Sequence, residues 1–169
     1  RPLATVMRPR FLTRPQYDLI RRGVGLVVAA LQRLGDALLA DAALRARIAL
    51  TPQEEALLVR DPGYPYHSAH SRMDTFLTLD GASLQFVEYN GESPAAIAYE
   101  DVLAELFLSL PAMQQFTRTY VVTPLPARRR LLDTLLDAWS HTGGSGSPRI
   151  AIVDWSGLPT HSEFVLFQR

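Results

Sequence analysis

The 169-residue chain contains no cysteine and no lysine, and each of its 17 basic residues is an arginine. Without cysteine there is no disulfide scaffold, no thiolate zinc site and no thiol nucleophile. Without lysine there is no Schiff-base chemistry and no ammonium group reaching for nucleotide phosphates. An excess of one charge is missing too: 17 acidic residues balance the arginines, and the isoelectric point is near 7.1. That balance argues against a protein whose main task is to coat nucleic acid or an anionic membrane, because both need surplus positive charge. Long hydrophobic runs are absent as well. The longest apolar stretches, such as 23–31, fall far short of the ~20 residues that span a bilayer. No signal-peptide pattern opens the chain. It begins Arg-Pro-Leu without Met, so residue 1 is not expected to be the first codon. These features together suit a cytoplasmic protein with neither a nucleic-acid nor a membrane partner.

What is present is ordinary for a soluble globular domain: 47% hydrophobic and 20% charged residues. A chain of this length is expected to bury roughly 70% of the surface it exposes when unfolded. Thr13 is a plausible N-cap for a long first helix, with Pro15 in its first turn and apolar residues at helical spacing from Leu19 to Leu34. A second helix is expected over 36–50. Thr51-Pro52-Gln53-Glu54 is a capping box opening a short third helix to about Val59, which Asp61-Pro62-Gly63 stops. Helices are also expected over 94–110, from Pro111, and over 123–141. Residues 142–148 (Thr-Gly-Gly-Ser-Gly-Ser-Pro) read as a flexible linker. The apolar run 150–155 resembles a buried parallel strand. Thr160-His161-Ser162-Glu163 reads as a second capping box, opening a helix that ends with the sequence.

Between 71 and 90 the period changes to two. The run 72–79 meets Asp80-Gly81, a strong hairpin signal, and 83–90 follows as the second arm. Polar residues stand at Arg72, Asp74, Glu88 and Asn90. A two-residue Asp80-Gly81 turn would pair 74 with 87 and put Asp74 and Glu88 on opposite faces. A three-residue loop ending in Gly81 would pair 72 with 88 and 74 with 86, bringing all four to one face. The three-residue register is the one expected here, because two carboxylates and an amide oxygen on one face make a site for a hard cation such as magnesium. Arg72 beside them has a planar fork that suits phosphate or carboxylate oxygens. The bland alternative is a solvated face on which Arg72 and Glu88 form a cross-strand surface pair.

Other constellations carry less. His67 and His70 have a spacing that ligates metals on a helix, but irregular backbone is expected around Tyr64-Pro65-Tyr66. Arg128-Arg129-Arg130 reads as a solvated helix face rather than a nucleic-acid patch, since interleaved aromatics are lacking. Asp74 and Glu88 as a glycosidase pair would want an aromatic sugar platform that the sequence does not show.

Arg72-Met73-Asp74, followed by Phe86-Val87-Glu88-Tyr89-Asn90-Gly91-Glu92-Ser93-Pro94, resembles the circularly permuted ATP-grasp proteins related to glutathionylspermidine synthetase. Those show Arg-x-Asp, a short hairpin, then Glu-Tyr-Asn followed by an acidic residue, Ser or Thr, and Pro. Glu92 stands where the family often has Asp. The resemblance implies that Asp74, Glu88 and Asn90 bind the magnesium (Mg2+) that holds ATP, with Arg72 and Asn90 serving the nucleotide. It further implies that Arg72 is the catalytic group stabilising the phosphoryl group in transfer. The implied reaction phosphorylates a small-molecule or peptide carboxylate with ATP, and an amine then attacks the acyl phosphate to form an amide. The family's lysines on the phosphates are missing, and its chains are much longer.

The expected fold class is thus α/β (α+β): a helical N-terminal region, an antiparallel β-hairpin with flanking helices, and the start of a Rossmann-like α/β unit. Residues 1–141 would carry the helices and hairpin as part of a permuted ATP-grasp fold. Residues 142–148 would be a linker, and 149–169 the beginning of a truncated α/β subdomain. The expected function is that of a ligase fragment supplying the magnesium and phosphate side of the site. The alternative is a non-catalytic binding or oligomerisation module that keeps the hairpin.

Overall fold

The computed structural model describes residues 8–91 and 94–168 and is of mixed α+β class. Helix α1 spans Arg14–Ala40. Thr13 caps it reciprocally: Gln16 N donates to Thr13 Oγ1 at 3.4 Å, and Thr13 N donates to Gln16 Oε1 at 2.9 Å. The helix runs through Asp36, where a second helix was expected to begin. Gly35 weakens a helix by only about 1 kcal/mol and does not end it. The break comes at Asp41, whose carboxylate accepts from Ala43 N and Leu44 N and caps the short α2 (Ala42–Arg45). A 3₁₀ turn, Ala46–Ile48, and then α3 (Pro52–Leu58) follow. The expected Thr51/Glu54 capping box forms at α3.

The length of α1 changes the reading of hydrophobic runs. Its most apolar 18 residues reach a mean hydropathy of 1.5, and none of them is buried. By length and composition alone that is enough to cross a membrane. Arg33 and Asp36 interrupt the uncharged run, which is why runs alone did not reveal it.

Strands β1 (Arg72–Leu77) and β2 (Leu84–Asn90) pair antiparallel in a two-stranded sheet. The expected pairings 72 with 88 and 74 with 86 do not occur. Instead Arg72 pairs with Asn90 and Asp74 with Glu88, then Thr75 with Phe86 and Leu77 with Leu84. The loop is the first reason. Thr78 N donates to Ser83 O at 3.1 Å, so the loop holds four residues, 79–82. Thr78 Oγ1 accepts from Ser83 N and Asp80 Oδ1 accepts from Ala82 N, both at 3.0 Å. Gly81, at φ +72°, makes the left-handed turn. The second reason is a β-bulge, with Val87 as the extra residue of β2 between the partners of Thr75 and Asp74.

The hairpin docks on α1 through the face that carries Leu84 and Phe86. At Gly23 of α1, an added Cβ would lie 2.7 Å from Leu84 and 3.2 Å from Phe86, so glycine permits the approach. Gln16 Nε2 also donates to Leu79 O at 2.9 Å.

The second half is built around α4 (Ile97–Ser109), with α5 (Pro111–Phe116), α6 (Ala127–His141) and α7 (His161–Phe167). None of α4, α6 and α7 has a local side-chain cap. Asp101 of α4 supplies the cap of α6, accepting from Ala127 N at 2.8 Å and Arg128 N at 3.2 Å. Glu163 of α7 supplies the cap of α4, accepting from Ala96 N and Ala98 N, each at 2.9 Å. The capping box expected at Thr160–Glu163 therefore does not form, because Glu163 turns to another helix. The strand expected over 150–155 is also missing: the segment is irregular and unpaired, and Val153 and Trp155 are more than four-fifths exposed. A strand needs a neighbour for its backbone groups, and no other strand borders it among the described residues.

Among the described residues, burial is confined to Pro94, Ala98, Met113 and Glu163, so the tightest packing surrounds the start of α4 and its contact with α5. The chain exposes 13227 Å². A compact monomer of its mass would expose about 8,300 Å². It buries about half of its unfolded surface, well below the roughly 70% expected.

Candidate functional site

Residues directly opposite each other in an antiparallel pair share a face, about 4.5–5.5 Å apart at Cα. Asp74 opposite Glu88 and Arg72 opposite Asn90 therefore bring all four polar side chains to one side of the hairpin. The common face arises by a different route from the expected three-residue loop. Without the bulge, β2 would alternate strictly, and Glu88 would share the apolar face of Leu84 and Phe86 against α1. Val87 absorbs half a period and turns Glu88 and Asn90 outward. The signal was present in the sequence as two adjacent apolar residues, Phe86-Val87, within an otherwise alternating arm.

Arg72 is held at both ends of the motif. Its Nε donates to Asp74 Oδ1 at 2.9 Å and its Nη1 to Ala95 O at 3.2 Å. The pair is close to half exposed, so its worth in stability is under about 1 kcal/mol; its consequence is orientation. At the other end of the face, the buried Nδ2 of Asn90 has no hydrogen-bond partner. Left unpartnered, such a donor costs about 1–3 kcal/mol, and being an N–H group it offers nothing to a cation; only the amide oxygen could. The donor set fits a hard cation: two carboxylates and one amide, all offering oxygen. Among the described residues no three His, Asp or Glu side chains converge on a common point, so the face rests on those two carboxylates with Asn90. Glu92 and Ser93, the acidic and hydroxyl positions of the motif, lie outside the described residues.

The two histidines diverge. His67 Nε2 meets Asp36 Oδ1 at 2.9 Å and ties the 64–70 segment to α1. His70 lines a cavity with Arg72. Burial holds its imidazole below the ordinary 6.5, opposed by the carboxylate of Glu163. The unfolded chain then binds the proton more readily than the folded one. This contribution to stability is present above pH 6.5 and is lost as pH falls below it. His70→Gln should flatten the decline of the thermal midpoint between about pH 7 and 5; an unaltered decline would show that His70 plays no part in it.

The cavity, of about 340 Å³, lies between the start of β1 and the facing sides of α4 and α6. Glu100 and Arg130 line it too, and neither stood out in the sequence as a site residue. Burial, and secondarily the neighbouring Asp101, raise the Glu100 carboxyl above its usual range. The arginine run opening α6, read as one solvated face, divides into three roles. Arg128 reaches Asp101 at 3.1 Å and Glu105 at 3.6 Å, Arg129 pairs with Asp133 at 2.9 Å, and Arg130 borders the cavity.

Comparison of the chain with protein-family models, with curated proteins and with solved structures finds no match.

Proposed function

We propose that this chain supplies the magnesium- and phosphate-binding side of an ATP-dependent carboxylate–amine ligase of the permuted ATP-grasp type, acting in the cytoplasm on small-molecule or peptide acids and amines. The observation that carries the reading is the pairing of Asp74 with Glu88, flanked on the same face by Arg72 and Asn90. Asp74, Glu88 and Asn90 offer the oxygens for Mg2+. Neutralisation of charge on the phosphate oxygens of ATP is what that ion supplies when bound. Arg72, oriented by Asp74 and Ala95, presents its guanidinium at the margin of this face, where a planar fork meets phosphate oxygens.

Manganese, which takes similar oxygen ligands and is visible by electron paramagnetic resonance, tests the face directly. The chain should bind Mn2+ saturably, with competition from Mg2+. Asp74→Asn and Glu88→Gln should each weaken binding at least about tenfold while leaving the circular dichroism unchanged. Unchanged manganese affinity in both variants would sink the assignment.

A second reading, a binding or oligomerisation module, is favoured by a separate observation: the large exposed surface, to which the unburied apolar length of α1 contributes. Leu26 alone is 75% exposed. Sedimentation equilibrium should then give a mass above 18.8 kDa that rises with concentration. A constant mass of 18.8 kDa would remove self-association from consideration.

A further inference from the structure

We propose that the cavity between the start of β1 and helices α4 and α6 binds a small organic acid with an apolar body, its carboxylate taken by Arg130. The inference is read from the cavity and does not depend on the cation face. At about 340 Å³ the space is at the small end of ligand sites, which run from about 300 to 1,000 Å³. Pro94, Ile97 and Leu131 form apolar wall, and Arg130 of α6 and Arg72 of β1 border it, the Arg72 guanidinium being held already by Asp74 and Ala95 O.

Arg130 carries the argument. Its neighbours Arg128 and Arg129 are each matched to carboxylates. Arg130 has no ion-pair partner among the described residues and borders this cavity instead. A guanidinium beside apolar wall is complementary to a carboxylate attached to an apolar body: the fork accepts two oxygens, and the rest of the ligand covers Ile97 and Leu131. A cationic ligand would face two arginines. A bare inorganic anion would leave the apolar wall wet. Glu100 is the one carboxylate lining the cavity, and it opposes the bound acid by like charge.

The test is a nuclear magnetic resonance titration of the labelled chain with hexanoate and with hexanamide, without nucleotide or divalent cation. The outcome is therefore independent of manganese binding at the hairpin. Hexanoate should shift the Ile97 and Leu131 signals saturably, and hexanamide should bind at least about tenfold more weakly. Arg130→Gln should weaken hexanoate by about tenfold, and Leu131→Trp should block it by filling the space. Glu100→Gln should tighten binding, an opposite sign that loss of folding cannot imitate. Equal binding of acid and amide, an unaltered affinity in Arg130→Gln, or no saturable shift with hexanoate would each overturn the proposal.

Discussion

Glu163→Gln is expected to destabilise the chain by about 2–3 kcal/mol, because it removes the charge from a buried carboxylate that accepts two backbone N–H bonds. Glu163 is 2% exposed, and its two oxygens accept separately from Ala96 N and Ala98 N. The variant can present one oxygen but must turn an NH₂ group toward the other amide. No local residue can take over. Ala96, the residue before α4, has no capping side chain and already sits at φ +89°, a left-handed conformation costly for alanine. The remaining ties of α7 are weak by comparison: the Tyr99 hydroxyl shares a hydrogen bond with Ser162 Oγ at 2.7 Å, and Arg128 Nη1 donates to Leu166 O at 3.4 Å. The urea midpoint should fall accordingly, and proteolysis within 142–160 should quicken as α7 detaches. A variant as stable and as protease-resistant as the parent would show that α7 is held by something other than this carboxylate.

Asp101→Asn should cost about 2 kcal/mol, for a related reason. Helix α6 opens with three arginines at the positive end of its own dipole, an unfavourable placement. Asp101 offsets it by accepting from two amides of that first turn and from Arg128 Nε at 3.1 Å. Its side chain is only 13% exposed, so solvent screens the interaction little. Asp133→Asn is the control. It also removes a carboxylate from an arginine of α6, but Arg129 is 70% exposed, and the loss should be under about 0.5 kcal/mol. Equal urea midpoints for the Asp101 and Asp133 variants would contradict the capping role.

These two carboxylates mark where local reasoning stops. Thr160-x-x-Glu163 has the form of a capping box, and within the helix it opens that reading is reasonable. Its glutamate is taken instead by a helix start 65 residues away that has no cap of its own. Thr13 and Thr51, with no such competitor, cap the helices they precede as expected; the box at Thr51 forms as read, and Thr13 adds one with Gln16. The apolar run 150–155 has strand composition, but its backbone groups need a neighbouring strand, which composition cannot supply.

The hairpin divides the same way. Asp80-Gly81 determined a turn at that place, because Gly81 alone there accepts positive φ cheaply. The alternation of polar and apolar residues determined which side chains belong outside. Both depend on neighbours in sequence, and so were legible from it. The loop length and register depended on Thr78 bonding across to Ser83 and on the apolar residues of β2 finding α1. With Leu84, Phe86 and Tyr89 all apolar, strict alternation cannot keep them on one face, and the bulge at Val87 lets them share it. That docking, a tertiary contact, set Asp74 opposite Glu88. By itself the sequence determined the residue types of the candidate site and the caps that start the first helices. Tertiary structure decided which carboxylates face each other, which hold helices together, and which arginine borders the cavity, because each of those choices is a competition between partners far apart in the chain.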